Sequence, residues 1–248
     1  MQRAELATYL NQYLDVARYR DYCPNGLQVE GRAEVRMLVT GVTASLALLR
    51  AALERGADAV LVHHGYFWRG EDPRITGTRR ERIALILKHD LSLFAFHLPL
   101  DAHPEVGNNA QLGKLLGLEP VGRLGEQDIA MFGTLEKPIR LADFATRIET
   151  RLQRTPFVIG DSEREIYDVA WCTGAAQGMI EQAATCGADV YVSGEISEQT
   201  VHFAREAGIA YVAAGHHATE RYGIRALGEH LAARFGIAHE FVDISNPV

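Results

Sequence analysis

The chain has 248 residues, 47% of them hydrophobic, enough to bury a sizeable core in one large domain or in two modest lobes. A formal charge of -7 argues against nucleic acid as a partner, because phosphate-backbone binding relies on clustered Lys and Arg. No run approaches the ~20 consecutive apolar residues of a membrane span. The N-terminal stretch also lacks the basic-then-apolar design of an export signal, and the three cysteines form no CxxC pair, so a cytoplasmic protein with reduced thiols and no membrane partner is expected.

Residues 4–16 (AELATYLNQYLDV) carry apolar positions at helical spacing, and YCPNGLQVEG then supplies Pro-Asn-Gly turn chemistry before the first strand. Strand-like runs at 36–42, 58–63 and 91–97 alternate with helical patterns at 44–55 and 79–90. The basic run Thr78-Arg79-Arg80-Glu81-Arg82 opens the second of these helices and reads as a solvated face. Further strands are expected near 129–135, 166–172, 189–193, 209–213 and 239–244, with helices over 141–153, 176–186, 197–207 and 218–235. Such alternation implies crossover units and an α/β fold with largely parallel sheet.

TGVTASLALLRAALERGADAVLVHHG from residue 40 resembles TGAAQGMIEQAATCGADVYVSGE from residue 173, each running Thr-Gly, helix, Gly-Ala-Asp, apolar strand, Gly. A diverged internal duplication accounts for this, although any two crossover units of similar length look alike. Duplication predicts two similar α/β lobes with mostly parallel sheets facing a shared cleft, which is the natural place for a site. The break is placed near GLEPVGRLGEQ, giving lobes 1–125 and 126–248, with C-terminal elements packing back on the first.

Six of the 10 histidines fall in three short segments, each following an apolar strand: VHHG (His63, His64), FHLPLDAH (His97, Asp101, His103) and AAGHHATE (His216, His217, Glu220). Open parallel sheets place ligands beyond the carboxyl ends of their strands, where all three segments should emerge. His216 and Glu220, four apart at a helix start, share a face and can reach one ion, whereas His217 points ~100° away. His63 and His64, as strand neighbours, face opposite sides. Either the chain leaves the sheet at Gly65, or each histidine serves a different ion of a carboxylate-bridged pair. The matching strand end, DVYVSGE, carries no histidine, so packing alone does not require the pair; Glu195 occupies the position corresponding to His64. No phosphate loop, nucleophile elbow or dinucleotide-binding glycine fingerprint competes with this reading.

The segments DYCPNGLQVEG, VTGVTAS, GADAVLVHHGYFW, FHLPLDAHPEVGNNAQL, SGEISEQTVHFAREAG and AAGHHATERYGIRALGEHL together resemble the NIF-three-like family, dinuclear-metal hexameric proteins known as type 2 GTP cyclohydrolase I homologues. The similarity runs from about residue 20 to the C-terminus. It implies a ring-like homohexamer whose metal sites face an internal cavity, without the extra middle domain that some members carry. Carried over position by position, the metal ligands are His63, His64, Asp101, His216 and Glu220.

Imidazole and carboxylate donors without thiolate suit two divalent ions of zinc, iron or manganese. Two such ions make hydrolysis the economical chemistry, and the resemblance implies a nucleotide or related small molecule as the substrate, with a C–N bond opened as the family's name suggests. His97 is the candidate proton carrier, or else a group that orients a ligand carboxylate. Arg69 and Lys114 are candidates for holding phosphate or base. The rival expectation is a metal-binding adaptor or metal-trafficking protein without turnover; a purely structural metal fits poorly, since structural sites are usually closed by thiolates.

Overall fold

The computed structural model describes residues 1–248. The chain divides into two compact units, Met1–Gly107 with Gly223–Ile244, and Asn108–Tyr222 with Ser245–Val248. No helix is long and apolar enough to cross a membrane.

The first unit contains α1 (Arg3–Tyr13), β1 (Gly26–Val29), β2 (Met37–Thr43), α2 (Leu46–Glu54), β3 (Ala59–His64), α3 (Gly77–Lys88), β4 (Ser92–Ala95) and the short α4 (Leu98–Ala102). β11 (Ala238–Phe241) returns to it from the far end of the chain. The sheet order is β1-β4-β3-β2-β11, with β1 antiparallel and the rest parallel. The strands read as continuous apolar runs because both faces are covered. Leu38, Leu61 and Phe94 pack with Leu6 and Leu10 of α1. Val39, Val60 and Leu93 pack with Leu48 and Leu49 of α2 and with Ile83 and Ile86 of α3. Gly41 is a packing glycine, since a Cβ there would lie 2.7 Å from the Leu48 methyls.

The second unit contains α5 (Asn108–Leu116), β5 (Leu118–Leu124), β6 (Ala130–Arg140), α6 (Leu141–Leu152), β7 (Phe157–Ile159), β8 (Glu165–Cys172), α7 (Ile180–Thr185), β9 (Val190–Ser193), α8 (Glu198–Ala207) and β10 (Ala210–Ala213). Its sheet order is β5-β6-β8-β9-β10-β7. Only β8-β9 and β9-β10 are parallel, so this sheet is mixed rather than mostly parallel. Trp171, Val190 and Val212 form its core with Leu112, Phe144 and Ile148. The long α9 (His216–Phe235) begins in this unit and continues into the segment that belongs to the first.

The glycine-rich stretch read as a boundary near residue 125 is the β5-β6 hairpin, and the units part at Gly107 instead. Gly125 adopts φ 80 at the hairpin's turn, so the broken periodicity marks chain reversal and not a linker.

Both units share one framework. Val39 pairs with Val60 on β2-β3 as Ala170 pairs with Tyr191 on β8-β9, an offset of 131 residues on both strands. The Gly-Ala-Asp aspartates do the same work in each. Asp58 Oδ2 accepts the backbone N–H groups of Arg36 and Met37 at 2.8 and 3.0 Å, and Asp189 Oδ2 accepts those of Tyr167 and Asp168 at 2.8 and 3.0 Å. Arg32 and Arg164 pair with the other oxygens at 3.0 and 3.3 Å. The same register corrects one sequence equivalence: Gly41 corresponds to Cys172, and Gly174 to Thr43.

Candidate metal centre

In the first unit the donors sit at the carboxyl ends of parallel strands. His63 and His64 close β3, His97 follows β4 and caps α4, and Asp101 lies on α4. His63 is fully buried, and its Nδ1 donates to the Phe96 carbonyl at 2.9 Å, which directs Nε2 toward Asp101 Oδ1 at 3.6 Å. The ring of His64 lies 4.5 Å from that of His63, and its Nδ1 meets Thr43 Oγ1 at 3.2 Å. His97 stands 5.0 Å from His63 and 5.9 Å from His64, ring centre to ring centre. One ring nitrogen from each of the three lies within 4.8 Å of the others. Adjacent residues therefore do converge. Gly65 serves by lacking a side chain, since a Cβ there would fall 2.3 Å from Gln28 Oε1 and 2.5 Å from the Ala95 methyl.

Asp21, which sequence reasoning passed over, anchors His97. Its Oδ1 lies 2.7 Å from His97 Nδ1, and its Oδ2 accepts the Leu98 N–H at 2.9 Å and the Asn25 amide at 2.8 Å. Asn25 Oδ1 in turn accepts the His97 N–H at 2.7 Å. Burial raises the Asp21 carboxyl, but the hydrogen bond and charge of His97 outweigh it and hold it at about 2. Cys23 lies in the same turn, where burial and the Asp21 charge push its thiol up to about 12, so it packs as a neutral thiol. The turn motif DYCPNG was visible in the sequence, but its pairing with a histidine 76 residues away is set by the β1-β4 ladder.

In the second unit, His216 and Glu220 share one face of α9 as their spacing predicts, with His216 Nε2 3.2 Å from Glu220 Oε2. His216 Nδ1 meets Glu195 Oε1 at 2.7 Å. Burial lowers the His216 pKa, yet Glu220 and then Glu195 raise it to about 9. Glu220 is 2% exposed and lies over Gly174, where a Cβ would come within 2.2 Å of Oε1. The Thr219 hydroxyl accepts the Gly174 N–H at 3.1 Å and donates to the His216 carbonyl at 2.9 Å, which fixes this first turn.

The remaining candidates are placed elsewhere. His103 Nδ1 accepts the Glu105 and Val106 N–H groups at 3.2 Å, a loop cap, and its ring leans on Tyr13. His217 is buried, with its N–H bonded to the Val248 carbonyl at 3.0 Å. Arg69 donates to the Asp21 carbonyl at 3.0 Å and so braces the turn, and Lys114 is exposed on α5.

The donor set is one that could hold a metal ion. His63 turns its Nδ1 to a carbonyl and His97 and His216 turn theirs to carboxylates, which orients each ring with Nε2 directed away from that partner, and imidazoles held in this way could ligate an ion. The model of the Duf34/NIF3 (NGG1p interacting factor 3) family matches residues 1–247. The chain belongs to the DUF34/NIF3 family. Within it, the chain is 56% identical over 240 residues to a protein of Pseudomonas aeruginosa named GTP cyclohydrolase 1 type 2 homolog, covering 96% of this chain and 95% of that one. An Escherichia coli protein of the same name is 51% identical over 248 residues, covering all of both chains. Among solved structures, protein ybgI, described as of unknown function, superposes with a TM-score of 0.97 at 50% identity and 100% coverage of both chains. A Thermus thermophilus protein does so at 0.89 and 35% identity, again over 100% of both.

Proposed function

We propose that this DUF34/NIF3 protein is a metal-dependent hydrolase of a nucleotide or related small molecule. Its ligands are His63, His64 and Asp101 in the first unit and His216 and Glu220 in the second, for two divalent ions. The observation that carries the reading is that His63 and His216 are fixed through Nδ1, on the Phe96 carbonyl and the Glu195 carboxylate, with each Nε2 turned toward a carboxylate, Asp101 or Glu220, that could share an ion with it. Support for the substrate class comes from relatives named GTP cyclohydrolase 1 type 2 homolog. Bound divalent ions would supply hydroxide near neutral pH and polarise a carbonyl, imine or phosphoryl oxygen. His97, held by Asp21, moves the proton to the leaving nitrogen through Nε2. Free thiols fit a cytoplasmic setting, and the assembly we propose is a homohexamer. Sedimentation of the purified protein checks that assembly, and a monomer overturns it.

Elemental analysis of the purified protein names the metal among zinc, iron and manganese. Glu220→Ala and His64→Ala lower the metal bound per chain while the fold persists; unchanged metal content sinks the ligand assignment. Metal-loaded wild type converts GTP or another nucleotide of a broad panel faster than Glu220→Ala. Equal rates across the panel replace the hydrolase with metal storage or delivery.

A further inference from the structure

The basic run at the start of α3 does not behave as one solvated face. Arg80 and Glu81 are exposed, whereas Arg79 and Arg82, three apart, turn inward. Both line a cavity of about 290 Å³ in the first unit that also borders His64, Thr43, Trp68 and Thr78. Small-molecule sites commonly span ~300–1,000 Å³, so this cavity, at the lower end of that range, has room for a phosphoryl-sized group.

The charges identify the group. Glu71 also lines the cavity, but it is ion-paired with Arg79, which donates to the Asp72 carbonyl as well. Arg82 is the cation left over, and its Nε is buried without a hydrogen-bond partner. A guanidinium offers a planar fork of donors matched to phosphate oxygens. Thr78 and Arg79 lie in the first turn of a 12-residue helix, whose N-terminal N–H groups add positive potential. The Thr43 hydroxyl, already against His64 Nδ1, faces the same space, and the Trp68 ring, 5.9 Å from His64, forms an apolar wall.

We propose that the cavity between β3 and the first turns of α3 is a phosphate subsite, in which Arg82, with Thr78 at the start of α3, holds a phosphoryl group of the substrate beside His64. This rests on the nucleotide-hydrolase reading and narrows it to phosphorylated substrates. It also reassigns the role first given to Arg69 and Lys114.

The test is calorimetric binding to the metal-loaded protein. GTP binds, inorganic triphosphate competes with it, and guanosine binds more weakly than GTP. Arg82→Gln weakens GTP binding about tenfold, the scale of one lost charge-assisted hydrogen bond, with metal content unchanged. Arg80→Gln removes the same charge from the exposed face and leaves the affinity as it was. Should Arg82→Gln fail to fold, Arg82→Lys is read in its place, which keeps the charge but not the planar fork, with a weakening of several-fold expected. Equal GTP affinity in wild type and in the inward-facing variant, or equal affinity for GTP and guanosine, overturns the subsite. The two readings separate cleanly: GTP held through Arg82 without turnover overturns only the hydrolase, and turnover with a KM indifferent to Arg82 overturns only the subsite.

Discussion

The two units set one framework against two sets of strand-end residues. In each, a Gly-Ala-Asp turn leads into a buried parallel strand, and the aspartate ties down the start of the neighbouring strand through two backbone N–H groups. The strand ends diverge. β3 finishes in His63-His64-Gly65, while the chain after β9 continues as Gly194-Glu195, so the position of an imidazole in one unit holds a carboxylate in the other. Beside them Thr43 corresponds to Gly174, one carrying a hydroxyl that meets His64 and the other stripped of its side chain to admit Glu220. Buried scaffold positions repeat because packing and backbone pairing restrict them. Positions just past the strands are free to diverge, and there the candidate donors lie.

The largest effect expected from exchanging the halves is at this last pair. Gly174→Thr forces a side chain onto Glu220 at a residue with φ 71, and should cost on the order of 3 kcal/mol in urea unfolding while depleting bound metal. Thr43→Gly should cost about 1 kcal/mol or less. Equal losses from the two would show that the glycine is not making room for the carboxylate.

Next come the aspartates that the units share. Asp58→Ala and Asp189→Ala should each cost about 1–3 kcal/mol, since each leaves two strand-start N–H groups without their acceptor. The two losses should agree to within about 1 kcal/mol. A large mismatch would mean that the framework is alike in shape and not in energy.

Asp58 adds a pH dependence. Burial raises its carboxyl, but the Arg36 and Met37 N–H groups and Arg32 hold it below the usual range. A folded pKa below the unfolded one gives stability that is present above about pH 4 and lost as the pH falls through the folded value. The stability gap between wild type and Asp58→Asn, measured by urea unfolding, should therefore narrow from pH 7 to pH 3; a constant gap would assign the loss to shape instead of charge.

The smallest effect is at the diverged strand end of the second unit. In metal-free protein His216 should titrate near 9 by NMR, and Glu195→Gln should lower that value without abolishing helix α9. The stabilisation from this raised pKa is complete below about pH 6.5 and disappears as the pH rises through 9. An unmoved titration would detach Glu195 from the imidazole it faces.

Local patterns carried far into this fold. The Val-rich runs at 58–63 and 189–193 are strands because their apolar residues are continuous and bounded by glycine, and α9 starts at His216 with Glu220 on the same face because four residues make about one turn. Some pieces escaped because they are short: β1, β7 and α4 have 4, 3 and 5 residues, too few for any periodicity to register. The longer α5 and β5 escaped as well, β5 because its mostly exposed residues gave no apolar run and its glycines read as a boundary. At the site, the residue types and their strand-end placement were legible, because an imidazole pair closing an apolar strand is chemically conspicuous. The supports were not. Asp21 reaches His97 across 76 residues, and Glu195 reaches His216 across 21.

The sequence by itself determined the α/β class, the alternation of strands and helices from β2 to β4 and from β8 to β10, the repeated Gly-Ala-Asp turn and which imidazole and carboxylate residues end or follow strands, all of which depend on neighbours within a turn or two of chain. Only the tertiary structure decided that β11 returns to the first sheet, that Gly65 and Gly174 are required by what lies against them, and that Asp21 and Glu195 fix which ring nitrogen is offered. It also turned Arg82 inward while Arg80, two residues away, faces out. These are contacts between residues distant in the chain, and their geometry exists only once loop closure and burial have brought the segments together.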